Sequence, residues 1–259
     1  MDINKLKLSF SSLKQFGKSP AHFVGYKKRI FKQSAPMRRG WLTHLLTLEP
    51  ENISELTVLD VSTRANKQYK EAASVHPKGA EGVFTTKEVH DAQLLATAVS
   101  KHPLANKLIT EAVELEKHLH WELDGVKFHG FADVIGENYV ADLKVTDNEP
   151  KKIQRWVLDN QYHMQLALYK EAVFPGVDDY KRQAPKCYLI TVDPNAPNGV
   201  VVYELSSEMV KDGLNSARVE VSMLKVWYKD WDGESTPRSY DYYEQENEPL
   251  ILELPTWYK

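Results

Sequence analysis

In the stretch GFADVIGENYVADLKVT, three charged residues, Asp133, Asp142 and Lys144, interrupt what otherwise reads as two core strands about a turn that carries Glu137. Asp142 and Lys144 are two apart. Strand side chains alternate between faces, so these two point the same way while Ala141, Leu143 and Val145 point into the other layer. The segments Lys127 to Ile135 and Tyr139 to Thr146 flank the turn signal Gly136-Glu137-Asn138, which predicts a β-hairpin. A loop of two residues (Glu137-Asn138) or of four sets Asp133 directly across from Asp142, about 5 Å away. A loop of odd length sends Asp133 to the opposite face. Two carboxylates that close repel unless a cation sits between them, so the expectation is a divalent metal on oxygen ligands. Such a metal can activate water and stabilise charge on a phosphoryl oxygen, while an ammonium two residues on positions the water or neutralises the pentavalent intermediate. The chemistry implied is phosphodiester hydrolysis.

Further along, Gln165 and Tyr169 stand four apart in YHMQLALY, on one face of an expected helix. His44 shares a helical stripe with Met37, Trp41, Leu45 and Leu48. His118 and His120 form an HxH; no third nitrogen or thiolate ligand stands at a helpful spacing, so a polar strand face is expected there rather than zinc.

In this order the motifs are recognisable. Asp133, then Asp142-Leu143-Lys144, then Gln165 and Tyr169 closely resemble the PD-(D/E)xK nuclease superfamily in its RecB-like branch, with its GxxD segment, DxK strand and QxxxY helix. RGWLTHLL, residues 39 to 46, is similar to that branch's upstream Gly-x-x-x-His helix, and Glu116 takes the place of an additional acid before a Trp-bearing strand. SFSSLKQFGKSPAHFVGYKK and the terminal LILELPTW resemble the exonuclease VIII (RecE-type) exodeoxyribonucleases of phages and prophages. The middle acid is Asp142, allowed in the family but shorter than Glu.

The resemblance implies roles. Asp133 and Asp142 would be metal ligands, joined by His44 and the backbone carbonyl of Leu143, with Lys144 the catalytic lysine and one or two Mg²⁺ (or Mn²⁺) ions per site. Glu116 would be the additional acid, although Glu114 lies two residues away on the same strand face and competes for that place. Gln165 and Tyr169 would hold the active-site strand or contact the DNA backbone, with Gln161 one turn earlier in the same role. The activity implied is exonucleolytic degradation of one strand of linear duplex DNA from a 5′ end, leaving a 3′ single strand for a recombination or single-strand annealing protein. A ring-like homo-oligomer is implied too. A structure-specific endonuclease with the same core, or a DNA-end-binding module without cleavage, are the alternatives.

The elements that position these residues follow from pattern. Helices are expected over Ser11 to Phe16, from Ser19-Pro20 through Lys28, from Pro36 to Glu49-Pro50, over 63–75, and over 86–101 with Thr85 and Glu88 as a capping box. Near residue 114 the period changes to two, as Leu119, Trp121 and Leu123 alternate with Glu116, His118, His120 and Glu122. The hairpin follows, and then one long helix from Lys151 to Phe174 with Val157, Met164, Leu168 and Ala172 as its core stripe. Strands at Lys186 to Val192 and Gly199 to Leu205 flank DPNAPNG, and a helix over Ser207 to Asp230 closes the pattern. The expected fold is mixed α/β: a restriction-endonuclease-like core, a central mixed sheet flanked by helices. A single domain is expected over 1–259, with a mostly helical DNA-gripping part (1–110), a catalytic core (111–230) and an acidic, aromatic tail (231–259).

Composition agrees with a globular chain. Its 259 residues are 42% hydrophobic and 27% charged, with a net charge of −3. Residues 1–40 carry ten Lys or Arg against one acid, Asp2, whereas 230–259 carry eight acids against Arg238 and Lys259. The basic segment makes Lys27, Lys28, Arg29, Arg38 and Arg39 candidate phosphate contacts. The single cysteine, Cys187, excludes multi-thiolate zinc and iron–sulfur sites. No Walker-type motif is present. MDINKLKLSF lacks the apolar stretch of a secretory signal and no membrane-length apolar run occurs, so a cytoplasmic location is expected, in a bacterial host if phage-encoded.

Overall fold

The computed structural model describes residues 5–29, 33–177, 183–196 and 199–235, and structural statements concern these residues. The chain opens with strand β1 (Lys7–Leu8), followed by α1 (Phe10–Lys18) and α2 (Pro20–Lys28). Ser9 caps α1 in a capping box with Ser12, and Ser19 caps α2 with Pro20 in its first turn. Next come α3 (Ala35–Leu48), β2 (Thr57–Leu59), α4 (Lys67–Val75), β3 (Val83–Thr85), α5 (Thr86–Lys101) and α6 (Pro103–Thr110). The capping box of Thr85 and Glu88 opens α5. β2 and β3 form a small parallel pair apart from the main sheet, and with α6 they are elements that sequence pattern does not reveal.

The meander is β4 (Glu114–Leu123), β5 (Val126–Gly136) and β6 (Tyr139–Val145). After it stand α7 (Ile153–Asp159), α8 (Tyr162–Val173), β7 (Lys186–Val192), β8 (Val200–Glu204) and α9 (Ser207–Asp230). The sheet has six strands: β4 and β6 pair antiparallel with β5, β7 runs parallel to β6, and β8 returns antiparallel. β4 fills one edge of β5 along most of its length, so β6 and β1 share the other, at Val134–Gly136 and Lys127–Phe128 respectively. This is the mixed α/β architecture that the pattern predicts.

Helices cover both faces. Leu48 of α3, Leu95 and Val99 of α5 and Leu108 of α6 pack on Val134, Ala141 and Leu143. On the other face Val157 of α7, Leu166 and Ala167 of α8 and Val210 of α9 pack on Val140 and Leu189. Alternation along β6 sorts the two layers.

One expectation needs correction. The helix predicted from Lys151 to Phe174 is two helices, α7 and α8, parted at Asn160-Gln161, where Gln161 takes a left-handed backbone (φ 56°). Its predicted stripe therefore serves two cores: Val157 packs with Val140 and Leu189, whereas Met164 and Leu168 pack with Phe16, Phe128 and Val221. Neither Asn nor Gln is a strong breaker, so propensity alone cannot show the break. Beyond residue 235 the predicted acidic tail, with LILELPTW, lies outside the described residues. Among the described residues no helix is long and apolar enough to cross a membrane.

Candidate active site

The hairpin closes through the two-residue loop Glu137-Asn138, with Gly136 paired to Tyr139 and Val134 to Ala141. That register sets Asp133 level with Asp142. Ladder pairing stops at Val134, however, and beyond it Asp133 Oδ2 accepts the Leu143 amide at 2.7 Å. The carbonyl of the same residue lies 2.6 Å from His44 Nε2. A carbonyl can only accept, so His44 Nε2 carries a proton and donates it there. Leu143, fully buried, thus spends both backbone groups on the site, its amide on Asp133 and its carbonyl against His44, so the expected carbonyl ligand stands beside the expected histidine ligand.

With Nε2 committed, His44 Nδ1 faces two carboxylates: Glu116 Oε1 at 3.4 Å and Asp133 Oδ2 at 3.5 Å. Ligand atoms of His44, Glu116 and Asp133 all lie within 4.8 Å of one another. Three electron-pair donors that converge require a proton or a cation among them. In the protein alone a proton suffices: burial opposes the imidazolium, but Asp133 and Glu116 outweigh it and hold His44 at about 9. One nitrogen and two carboxylates are equally a fitting donor set for a divalent ion of the Mg²⁺–Mn²⁺ class. Glu116 is placed here by an unusual backbone, φ 46° in mid-strand, which β4 accommodates without a change of register, since Leu115 pairs with Val134 and Lys117 with Ala132. Glu114 instead pairs with Lys117 at 2.9 Å, so of the two acids Glu116 approaches the histidine.

Asp142 stands apart from this donor group. It is 1% exposed, and its Oδ2 lies 2.5 Å from Lys144 Nζ, while neither carboxylate oxygen makes a well-directed hydrogen bond. Burial pushes its pKa up to about 6, against the pull of Lys144 and with a further push from Asp133. Lys144 is held charged: burial disfavours the ammonium, but Asp142 and Asp133 raise it above the ordinary lysine value. Apart from the Lys144 ammonium, Asp142's buried oxygens have capacity left for a cation.

Tyr162, Gln165 and Tyr169 line the side of α8 that meets these strands. Lys144 Nζ sits 5.1 Å above the Tyr162 ring and Gln165 donates to the Tyr169 hydroxyl at 3.3 Å. A Cβ on Gly130 would meet the Tyr169 ring at 2.9 Å, so the glycine of the GxxD segment is where α8 presses on β5. Tyr169 packs on the strand that carries Asp133, beside Ala132 and Ile135, and Gln165 is bonded to it.

A sequence profile of the family described as "PDDEXK-like domain of unknown function (DUF3799)" matches residues 9–241. The chain belongs to this family. The crystal structure of a "putative exonuclease" from Eubacterium rectale shares the fold of this PDDEXK-like domain with a TM-score of 0.62 at 14% identity, covering 96% of this chain and 92% of that one. A further structure, of SSO0001, aligns at a TM-score of only 0.29 and 16% identity over 82% and 85% of the chains. A search of curated proteins by sequence finds no match. The PD-(D/E)xK resemblance read from the motifs is thereby shown, and membership supports nuclease chemistry that uses a divalent metal.

The proposed phosphate contacts of the PDDEXK-like domain fare unevenly. Arg38 is a correction: it is 2% exposed, ion-paired to Glu88 at 3.1 Å, bonded to the Ala80 and Val83 carbonyls, and stacked 4.0 Å over Phe84, so it holds α3 to α5 and β3 rather than meeting DNA. Arg39, half-buried, lines a cleft with Arg64, Lys87 and Asp91 away from His44. Lys27 and Lys28 are exposed and donate to the carbonyls of Lys7 and Glu234, and Arg29 stacks 3.7 Å from the Tyr26 ring. Gln161 is a second correction: it sits at the helix break and donates to Glu220 of α9 at 3.3 Å instead of continuing the Gln165–Tyr169 face.

Three residues escape the sequence reading. Lys14 Nζ donates to the Asn160 carbonyl at 2.8 Å and lies 5.7 Å from the Tyr162 ring, which Lys144 also approaches. Among ten N-terminal cations nothing in its spacing sets it apart. Tyr162 precedes Gln165 by one turn, a signal that was present. Glu49 lines a cleft of about 280 Å³ with Gly40, Trp41, His44 and Glu116, and burial followed by Glu116 raises its pKa. The HxH reading is also corrected in one respect: the turn at Asp124-Gly125 brings a third imidazole, His129, across from His120.

Proposed function

We infer that this PDDEXK-like domain is a divalent-metal-dependent exodeoxyribonuclease acting on linear duplex DNA from the 5′ end. The observation that carries the nuclease reading is Leu143, whose flanking residues Asp142 and Lys144 form the buried acid–ammonium pair while its own amide and carbonyl fix Asp133 and His44. Bound by His44, Glu116 and Asp133, with Asp142 alongside, a divalent ion would supply Lewis acidity toward water and a phosphoryl oxygen. The chain's own groups do the rest. Lys144 Nζ, held charged, offers protons to a phosphoryl oxygen as negative charge grows on it. Gln165 and Tyr169 keep β5 against α8, so the carboxylates hold position during the reaction.

Exonucleolytic action, 5′ polarity and the supply of a 3′ strand to an annealing or recombination protein rest on the motif resemblance, as does a ring-like homo-oligomer, whereas action in the cytoplasm rests on the apolar pattern of the sequence. Digestion of linear duplex DNA labelled at the 5′ or the 3′ end, with Mg²⁺ or Mn²⁺ and with EDTA, beside a closed circle, tests the reading. Metal-dependent release from the 5′ end with the circle spared is the expected result. Cutting of the circle would make it an endonuclease, and no cleavage of either would leave a DNA-end-binding module.

A further inference from the structure

Two residues from Glu116 on β4, and two from Asp133 on β5, begins a strip of rings that the hydrolytic site does not use. His118 pairs across the strands with Phe131, their rings stacked at 4.4 Å and 8°, and His120 pairs with His129. The His118 ring lies 4.2 Å from that of His120 and 6.0 Å from that of His129. Leu119 and Trp121 point to the other face, where Trp121 and Gly130 meet Tyr169 of α8. The strip therefore lies on the face turned away from α8, the face on which α3 packs farther along the sheet. It is open: Phe131 is 53% exposed, and His118 and His120 are exposed. A large exposed phenyl stacked on imidazoles where β5 meets the edge strand β4 contributes nothing to the core, which marks it as a surface for contact.

Cations border it. Lys7 of β1 pairs in register with Lys127, and Lys27 reaches the Lys7 carbonyl at 3.2 Å. Burial lowers the pKa of His129, and the neighbouring Lys27 and Lys7 add to this. One acid, Glu122, stands opposite Lys127 at the far end.

Resting on the nuclease reading, we propose that this strip is a stacking platform for the unpaired bases of the nucleic-acid strand that enters or leaves the active site. Flat rings accept any base by its π-face, which suits an enzyme that must hold every sequence, and lysines beside the rings match a phosphate backbone. The strip rises about 7 Å per cross-strand pair along the strands, so successive rings lead away from Glu116 and Asp133 in steps that an extended strand can follow.

The test measures binding of the full chain, in EDTA, to a labelled single-stranded oligonucleotide and to the same backbone without bases. The wild type should prefer the strand with bases by about tenfold or more. His118→Ala/Phe131→Ala should lose that preference and bind both strands as the wild type binds the abasic one, while Phe131→Trp retains it; thermal melts verify folding of each. Equal wild-type affinity for both strands, or equal loss of both in the double variant, would overturn the platform, as would a preference that appears only on adding Zn²⁺, which would make the histidines a metal site. Hydrolysis of linear duplex DNA with Mn²⁺ separates the two readings: cleavage of the duplex without base preference in single-strand binding removes the platform alone, and base preference without cleavage of the duplex removes the nuclease reading and leaves a binding surface.

Discussion

Asp133 Oδ2 accepts a hydrogen bond from the Leu143 amide at 2.7 Å across the gap where β5 and β6 cease to pair. The carboxylate is therefore both a ligand candidate and a substitute for a ladder hydrogen bond. Asp133→Ala should abolish hydrolysis and also cost about 1–3 kcal/mol by leaving a buried amide unpaired. Asp133→Asn keeps an acceptor oxygen, so urea denaturation should place it within ~1 kcal/mol of wild type while hydrolysis is still lost. Equal instability in both variants would deny the carboxylate its structural part.

Lys144 is the partner that lets Asp142 stay buried and ionised. Lys144→Met should lower activity by at least ~100-fold and destabilise the fold by roughly 3 kcal/mol, because a carboxylate is stranded. Adding Asp142→Asn to it should restore most of the stability and none of the activity. Thermal melts of the single and double variants decide this, and a double variant no more stable than the single one would contradict it.

Metal should be visible without turnover. An ion that binds only the folded chain raises stability by about 2.7 kcal/mol at a hundred times its dissociation constant, a shift of several degrees for a chain of this size. Mn²⁺ should raise Tm more than Mg²⁺ does, since His44 adds a nitrogen to two carboxylates. His44→Ala should erase that difference; a Mn²⁺ shift that survives it would move the ion elsewhere.

Glu220 should give the fold a pH dependence of its own. Burial lifts its pKa from 4.5 to about 7, only partly opposed by Gln161, so the folded chain holds this proton more tightly than the unfolded one. Its stabilising contribution is complete below 4.5 and disappears as pH rises through about 7. Glu220→Gln should therefore be more stable than wild type at pH 8 by on the order of 1–2 kcal/mol, allowing for solvent screening, and should lose that advantage near pH 4. Denaturation at the two pH values measures it, and a constant difference would exclude Glu220 as the source.

Gly130→Ala places a methyl group 2.9 Å from the Tyr169 ring. The variant should lose about 1–3 kcal/mol together with most activity, since β5 carries Asp133. Combining it with Tyr169→Ala should recover stability in part, and failure of any recovery would mean that the clash is not the cause.

Much of this was legible in the sequence for local reasons. Strict alternation and a two-residue turn fix the hairpin, and with it the level placement of Asp133 and Asp142. Capping residues mark α2 and α5 at their first turns. What was hidden depends on partners far along the chain. Arg38 reads as a free cation until Glu88 and the Val83 carbonyl are folded around it. Gln161 leaves the helix because Asn160 and Gln161 are fastened elsewhere, to Lys14 and Glu220. The left-handed backbone at Glu116 has no compositional mark, since φ > 0 is usually signalled by Gly or Asn. His129 was within reach, because Asp124-Gly125 is a hairpin-turn pair that sets it opposite His120.

Where β5 ceases to pair with β6, the side chains of Asp133 and His44 act as a surrogate strand for Leu143, one accepting a hydrogen bond from its amide and the other donating one to its carbonyl. Their selection is therefore double. A relative that had ceased to cut DNA would still need an acceptor and a donor at these two places to keep the strand end closed. An acceptor at 133 and a donor at 44 would persist there long after catalysis had gone, whereas Asp142 and Lys144, an ion pair with each other, could leave together. Across such relatives, the pair at the middle of the DxK strand is the indicator of a working enzyme, and the acceptor and donor that grip its backbone are the indicator of the fold.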